Sequence, residues 1–119
     1  MRIVTLAERN AAALNRRSEA IGEAIRLLTV EAAKHKGSYV VFGSVATNDI
    51  HAESDIDLLA YFPKETVRTA MNAAEGICWG LGVPVDILDA SRCSKRFLSI
   101  ALRDSIALRD GIPLQGASS

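Results

Sequence analysis

Three aspartates and a Gly-Ser pair are the residues of this sequence best placed to do chemistry together. Asp55 and Asp57 alternate with Ile56 and Leu58 in the apolar run DIDLLAYF. In a strand, alternate side chains share a face, so the two carboxylates project together from Cα atoms roughly 7 Å apart at about 3.3 Å per residue. Like charges held this way repel unless a cation sits between them, and such oxygen clusters suit Mg²⁺, which takes a few carboxylates plus waters and substrate phosphates. Asp86 stands in VDIL, a strand otherwise apolar. A carboxylate there must lie at a strand end, be paired, or bind metal, because burying it uncompensated is prohibitive. With Asp55 and Asp57 it would complete a triad able to hold two divalent ions about 3.5–4 Å apart, steadying the attacking and leaving oxygens of a phosphoryl or nucleotidyl transfer. Asp86 would then serve the ion that activates the incoming hydroxyl. Gly43-Ser44 ends the apolar run SYVVF, and a strand entering Gly-Ser and then a helical turn offers backbone N–H groups and a hydroxyl to a phosphate. Alone that pair is ordinary turn chemistry; its coupling to Asp-x-Asp makes it a candidate site.

The other reactive side chains read as structural. His51, Asp49 and Glu53 fall in the polar stretch before Asp55 and are expected to be solvated loop residues. His35 closes a helix, where the macrodipole favours it. Cys78 and Cys93 match no metal-ligand spacing, and Cys78 lies in an apolar segment that predicts a buried thiol. Trp79 is expected in the core or at an oligomer contact.

These residues need a frame. The 119 residues, 49% hydrophobic and 24% charged, predict one domain with its own core. The 14 basic and 14 acidic residues cancel, so no global field draws the chain to nucleic acid, and stable nucleic-acid binding is not expected. No signal peptide or membrane span is visible in MRIVTLAERNAAALNRR, which points to a cytoplasmic protein without a membrane partner. Thr5 and Glu8 are spaced as a capping box opening a helix to about Lys34, with Leu14, Ile21, Ile25, Leu28 and Ala32 on one stripe and a break allowed near Asn15 to Ser18. Gly37 suits the left-handed position that ends it. Strands follow over Ser38 to Phe42, from Asp55 until Pro63, and over Val83 to Leu88. Helices are predicted from Thr66 to Trp79 and from Ser94 to Asp110, the last ended by Gly111 before the IPLQ run and a polar tail. The hexapeptide SIALRD occurs twice in succession, from Ser99 and from Ser105, and reads as incidental helix composition. The fold class is therefore α/β (α+β), a small mixed sheet of three to four strands flanked by helices.

GSVATNDIHAESDIDLL resembles the signature of the DNA polymerase β-like nucleotidyltransferase superfamily, and the chain is similar to that superfamily's minimal nucleotidyltransferases, which include antitoxins paired with HEPN-domain toxins. The resemblance extends from the helix before Ser38 to Leu114 and implies a single minimal nucleotidyltransferase domain over residues 1–119. It implies that Gly43 and Ser44 contact a triphosphate, that Asp55 and Asp57 bind Mg²⁺, and that Asp86 is the third carboxylate. ATP would be the donor, with two Mg²⁺ ions and pyrophosphate leaving. The minimal relatives commonly carry Ala-Arg-Gly after Gly-Ser-x, where this sequence has Ala46, Thr47 and Asn48; asparagine can still adopt the left-handed backbone that glycine would supply. Three readings follow. The first is AMP transfer to a hydroxyl of a partner protein, a helical HEPN-type toxin, the short chain borrowing its partner's surface to hold the acceptor. The second is transfer to a small molecule, as in relatives that usually carry an additional helical domain. The third is a catalytically weak or inactive module that neutralises its partner by occlusion. A homo-oligomer is left open.

Overall fold

The structure, a computed structural model, describes residues 5–109 and 112–113. Its first element is α1, Leu6–Lys34, 29 residues long. The capping box is made as the sequence predicts: the Thr5 hydroxyl accepts from the Glu8 backbone N–H at 3.1 Å, and the Glu8 carboxylate accepts from the Thr5 N–H at 3.2 Å. The helix runs unbroken past Asn15 to Ser18, where no glycine or proline interrupts it. Ile21, Ala24, Leu28 and Ala32 are fully buried, whereas nearly every residue from Thr5 to Asn15 is exposed, Leu14 among them. The sheet therefore holds α1 by its C-terminal half, where each large buried side chain contributes roughly 1.5–3 kcal/mol.

The stop of α1 differs in detail from expectation. Lys36, not Gly37, takes the left-handed conformation, at φ 64°. The Lys36 N–H donates to the Ala33 carbonyl at 3.3 Å and the Gly37 N–H to the Ala32 carbonyl at 3.4 Å, the paired bonds of a Schellman ending. Gly37 is needed for another reason: a Cβ there would sit 2.2 Å from the Tyr61 carbonyl oxygen.

The chain continues as β1 (Ser38–Phe42), β2 (Ile56–Tyr61), α2 (Val67–Gly80), β3 (Val85–Asp89), a 3₁₀ turn (Ala90–Arg92), α3 (Lys95–Ala101), β4 (Ile106–Arg109) and a two-residue β5 (Ile112–Pro113). The strands form one mixed sheet in the order β3-β2-β1-β4-β5, with only the β2–β3 pair parallel. On one face α1 and α2 bury Tyr39, Val41, Ile56, Leu58 and Leu108. On the other, the 3₁₀ turn and α3 cover Val40 and Leu59. This is the expected α/β architecture, widened at one edge.

The widening comes from the segment read as a single last helix. α3 stops at Ala101, and the second SIALRD copy forms β4, pairing antiparallel with β1 so that Val41 faces Ile106 and Tyr39 faces Leu108. The two copies thus have different structures, Ser99 to Ala101 in helix and Ile106 to Arg109 in strand. Local preference is the same in both, so tertiary pairing decides: the open edge of β1 must satisfy its backbone groups, and only the second copy reaches it. Gly111, Leu114 and the polar tail lie outside the described residues. Cys78 is fully buried, as expected, and burial raises its thiol to about 11. Trp79 is not a core residue; it is 80% exposed on α2. No helix among the described residues is long and apolar enough to cross a membrane.

Candidate active site

Strand register brings the predicted residues to one end of the sheet. The antiparallel β1–β2 pair sets Phe42 opposite Asp57, and the parallel β2–β3 pair sets Asp57 beside Asp86. Ile56 and Leu58 are buried under α1 and α2, so the alternation turns Asp57 to the α3 face, the side of Leu59. Asp55 sits one residue before β2, Asp57 is half-buried, and Asp55 and Asp86 are exposed. Burial raises the Asp57 carboxyl above the usual carboxylate range, and the negative charges of Asp55 and Asp86 push it further. Asp57 is thus the member of the group that feels both of the others.

Gly43 adjoins this group directly. It takes φ +74°, and a Cβ built on it would lie 2.5 Å from Asp57 Oδ2. Glycine is required here twice, for the left-handed backbone and for the approach of the carboxylate over its Cα. The backbone then makes the expected turn. Thr47 N–H donates to the Gly43 carbonyl at 3.3 Å, Asn48 N–H to Val45 at 3.1 Å, and Asp49 N–H to Ser44 at 2.8 Å. Val45, buried, anchors the turn to the core, and Asn48 takes the left-handed conformation at φ 60°. Thr47 Oγ1 donates back to the Ser44 carbonyl at 3.2 Å, which keeps that side chain folded against its own turn. Ser44 therefore stands in a compact helical turn adjoining Asp57.

The segment between this turn and Asp55 is held by a residue that the sequence did not disclose. Arg17, on α1, donates from Nη1 to the Ser54 carbonyl, immediately before Asp55. Ser54 is itself buried, and its Oγ accepts from the His51 N–H at 2.6 Å while its N–H donates to the His51 carbonyl at 3.1 Å. Arg17 falls off the apolar stripe of α1 and is 37 positions away from its partner, so no local pattern could have revealed the contact. His51 pairs with Asp49 at 3.6 Å, both side chains well exposed, consistent with solvated loop residues. His35 is structural as expected: its Nε2 lies 2.8 Å from Glu31 Oε2, and its carbonyl accepts from Thr66 Oγ1.

Among the described residues no three His, Cys, Asp or Glu side chains are gathered closely enough to form a ready-made metal cage. The donor set nevertheless suits a hard cation. Two carboxylates press on the half-buried Asp57, and among the described residues no ion pair neutralises any of the three. A divalent ion with oxygen ligands, completed by water and substrate phosphates, would remove that repulsion.

The glycine-led turn thus stands beside the carboxylates of β2 and β3, on a small mixed sheet backed by two helices. Comparison with known proteins names the family. The chain belongs to the nucleotidyltransferase domain family, whose model matches residues 24–108, a span that includes Gly43, Ser44, Asp55, Asp57 and Asp86. It is also similar to a solved structure provisionally described as a minimal nucleotidyltransferase, with 31% identity over 74% of this chain and 92% of that one and a TM-score of 0.59. A comparison with curated protein sequences finds no match.

Proposed function

We propose that this protein is a Mg²⁺-dependent nucleotidyltransferase that moves AMP from ATP to a hydroxyl of a partner protein, as the antitoxin of a HEPN-type toxin pair. The observation that carries the reading is the Asp57 carboxylate lying over Gly43 while feeling the charges of Asp55 and Asp86. A triphosphate on the Gly43-Ser44 turn would place its α-phosphate toward the acidic residues. Asp55 and Asp57 would hold Mg²⁺, with Asp86 as the third ligand; the ions would neutralise charge on the phosphates and lower the pKa of the entering hydroxyl. The acceptor oxygen forms a bond to the α-phosphorus as the bond to the bridging oxygen of the β-phosphate breaks. Pyrophosphate leaves on the Gly43-Ser44 side, and the hydroxyl proton departs on the side of Asp86. Positioning and charge neutralisation supply most of such catalysis. The exposure of Asp55 and Asp86 leaves the site open enough for a hydroxyl carried on a large molecule.

A second reading, a binding module that occludes its partner without transfer, draws support from the loosely gathered carboxylates. One experiment separates the two. The protein is incubated with α-labelled ATP, Mg²⁺ and the protein encoded beside it, and label is sought on protein, RNA and small molecules. Label on the neighbouring protein that is lost with Asp55→Ala is the expected result. Binding of the neighbour without label favours occlusion, and label on a small molecule alone overturns the protein acceptor.

A further inference from the structure

Beside the Gly43 turn, and sharing Gly43 with it, lies a recess of about 300 Å³ on the α3 face. Phe42, Gly43 and Thr47 form one wall, and Phe97, Ile100 and Asp104 form the other. The Phe42 and Phe97 rings meet edge to face, with centroids 5.9 Å apart. Phe97 is nevertheless 37% exposed and Ile100 54% exposed, so the apolar wall remains open to solvent. Thr47, folded back on the Ser44 carbonyl, does not fill the space. At the rim stands the exposed carboxylate of Asp104, in the turn after α3.

We propose that this recess binds the nucleobase of the donor nucleotide, stacked on Phe97 with an N–H group of its hydrogen-bonding edge donated to Asp104. The inference rests on the nucleotidyltransferase reading and adds the donor's orientation and specificity to it. Its first support is geometric. An in-line displacement fixes the acceptor and pyrophosphate on opposite sides of the α-phosphorus, the row from Asp86 through Asp57 to Gly43, so the nucleoside must leave that row sideways. The α3 face offers an apolar recess there that is continuous with Gly43 itself. The second support is chemical. A carboxylate accepts hydrogen bonds but donates none, so Asp104 favours a base edge carrying N–H and repels a phosphate. The aromatic wall suits a flat ring, since any base offers a π-face to stack on. The recess therefore takes the base end of the nucleotide and leaves the phosphate end to the Gly43-Ser44 turn.

The test is equilibrium binding, in Mg²⁺, of ATP, purine riboside triphosphate (which lacks the exocyclic amino group) and inorganic tripolyphosphate to the whole protein and two variants. The wild type is expected to bind ATP at least tenfold more tightly than tripolyphosphate, the order of one base–aromatic stack. Phe97→Ala brings ATP down toward tripolyphosphate and leaves tripolyphosphate affinity unchanged. Asp104→Ala, an exposed change that removes the acceptor, abolishes the preference for ATP over purine riboside triphosphate. Equal binding of ATP and tripolyphosphate to the wild type, or an ATP preference intact in both variants, overturns the base site while the transferase reading stands. Failure of all three ligands to bind overturns both.

Discussion

Asp57→Asn should make the metal-free protein more stable while removing its capacity for metal and transfer. Asp57 sits half-buried between Asp55 on its own strand and Asp86 on the next, with no described cation to offset the three charges. Two carboxylates about 6 Å apart repel by about 0.7 kcal/mol at the dielectric of water and about 3 kcal/mol at the effective value near a protein surface. Asp55 and Asp86 are exposed, so screening holds the real figure near the lower bound, about 1 kcal/mol. That corresponds to a rise of roughly 3–5 °C in Tm for a domain of this size. The pH dependence has a definite sign. Because the folded-state pKa of Asp57 is raised, the unfolded chain loses this proton first. Stability from this group is greatest below the ordinary aspartate range and falls as pH rises through the raised value. Asparagine removes that contribution to the slope. Thermal melts of both proteins across pH, with and without Mg²⁺, measure all of this. Mg²⁺ should raise the wild-type Tm and shift the variant far less. A variant no more stable than wild type without metal, or equal Mg²⁺ stabilisation of both, would refute the uncompensated carboxylate cluster.

Three further substitutions test separate parts of the site and fold. Gly43→Ala adds a Cβ 2.5 Å from Asp57 Oδ2 at a left-handed position; it should cost about 1–2 kcal/mol and sharply weaken Mg²⁺-dependent nucleotide binding, and retention of wild-type binding would count against the close approach. Arg17→Ala removes the donor to the Ser54 carbonyl and should speed hydrogen exchange in residues 49–55 while leaving that of α2 unchanged; equal protection in both proteins would show that the contact holds nothing in place. Leu108→Ala and Leu102→Ala alter the same position of the same hexapeptide, yet Leu108 is fully buried and Leu102 39% exposed. Denaturant melts should give about 2–4 kcal/mol for the first and under about 1 kcal/mol for the second; similar losses would contradict the strand assignment of the second copy.

That last contrast marks where the sequence stopped being readable. Asp55, Asp57 and Asp86 were legible because strand alternation is a local rule: once Ile56 and Leu58 are core, Asp57 has only one face available, and the register with β3 supplies its neighbour. Gly43 was legible as a turn, but its second role, making room for the Asp57 carboxylate, depends on β1 and β2 lying side by side. Arg17 and β4 were opaque for a related reason. The guanidinium is a surface residue by periodicity and a loop anchor only because the fold brings the Ser54 carbonyl against α1. Two identical hexapeptides have the same intrinsic preferences, so no reading of composition could make one a helix and the other a strand. The unpaired edge of β1 makes that choice, and with β4 in place it leaves Asp104, the last residue of the first copy, in the turn between α3 and β4. The feature that sequence could not supply thus sets the rim of the recess beside Gly43, the surface on which the proposed base site depends.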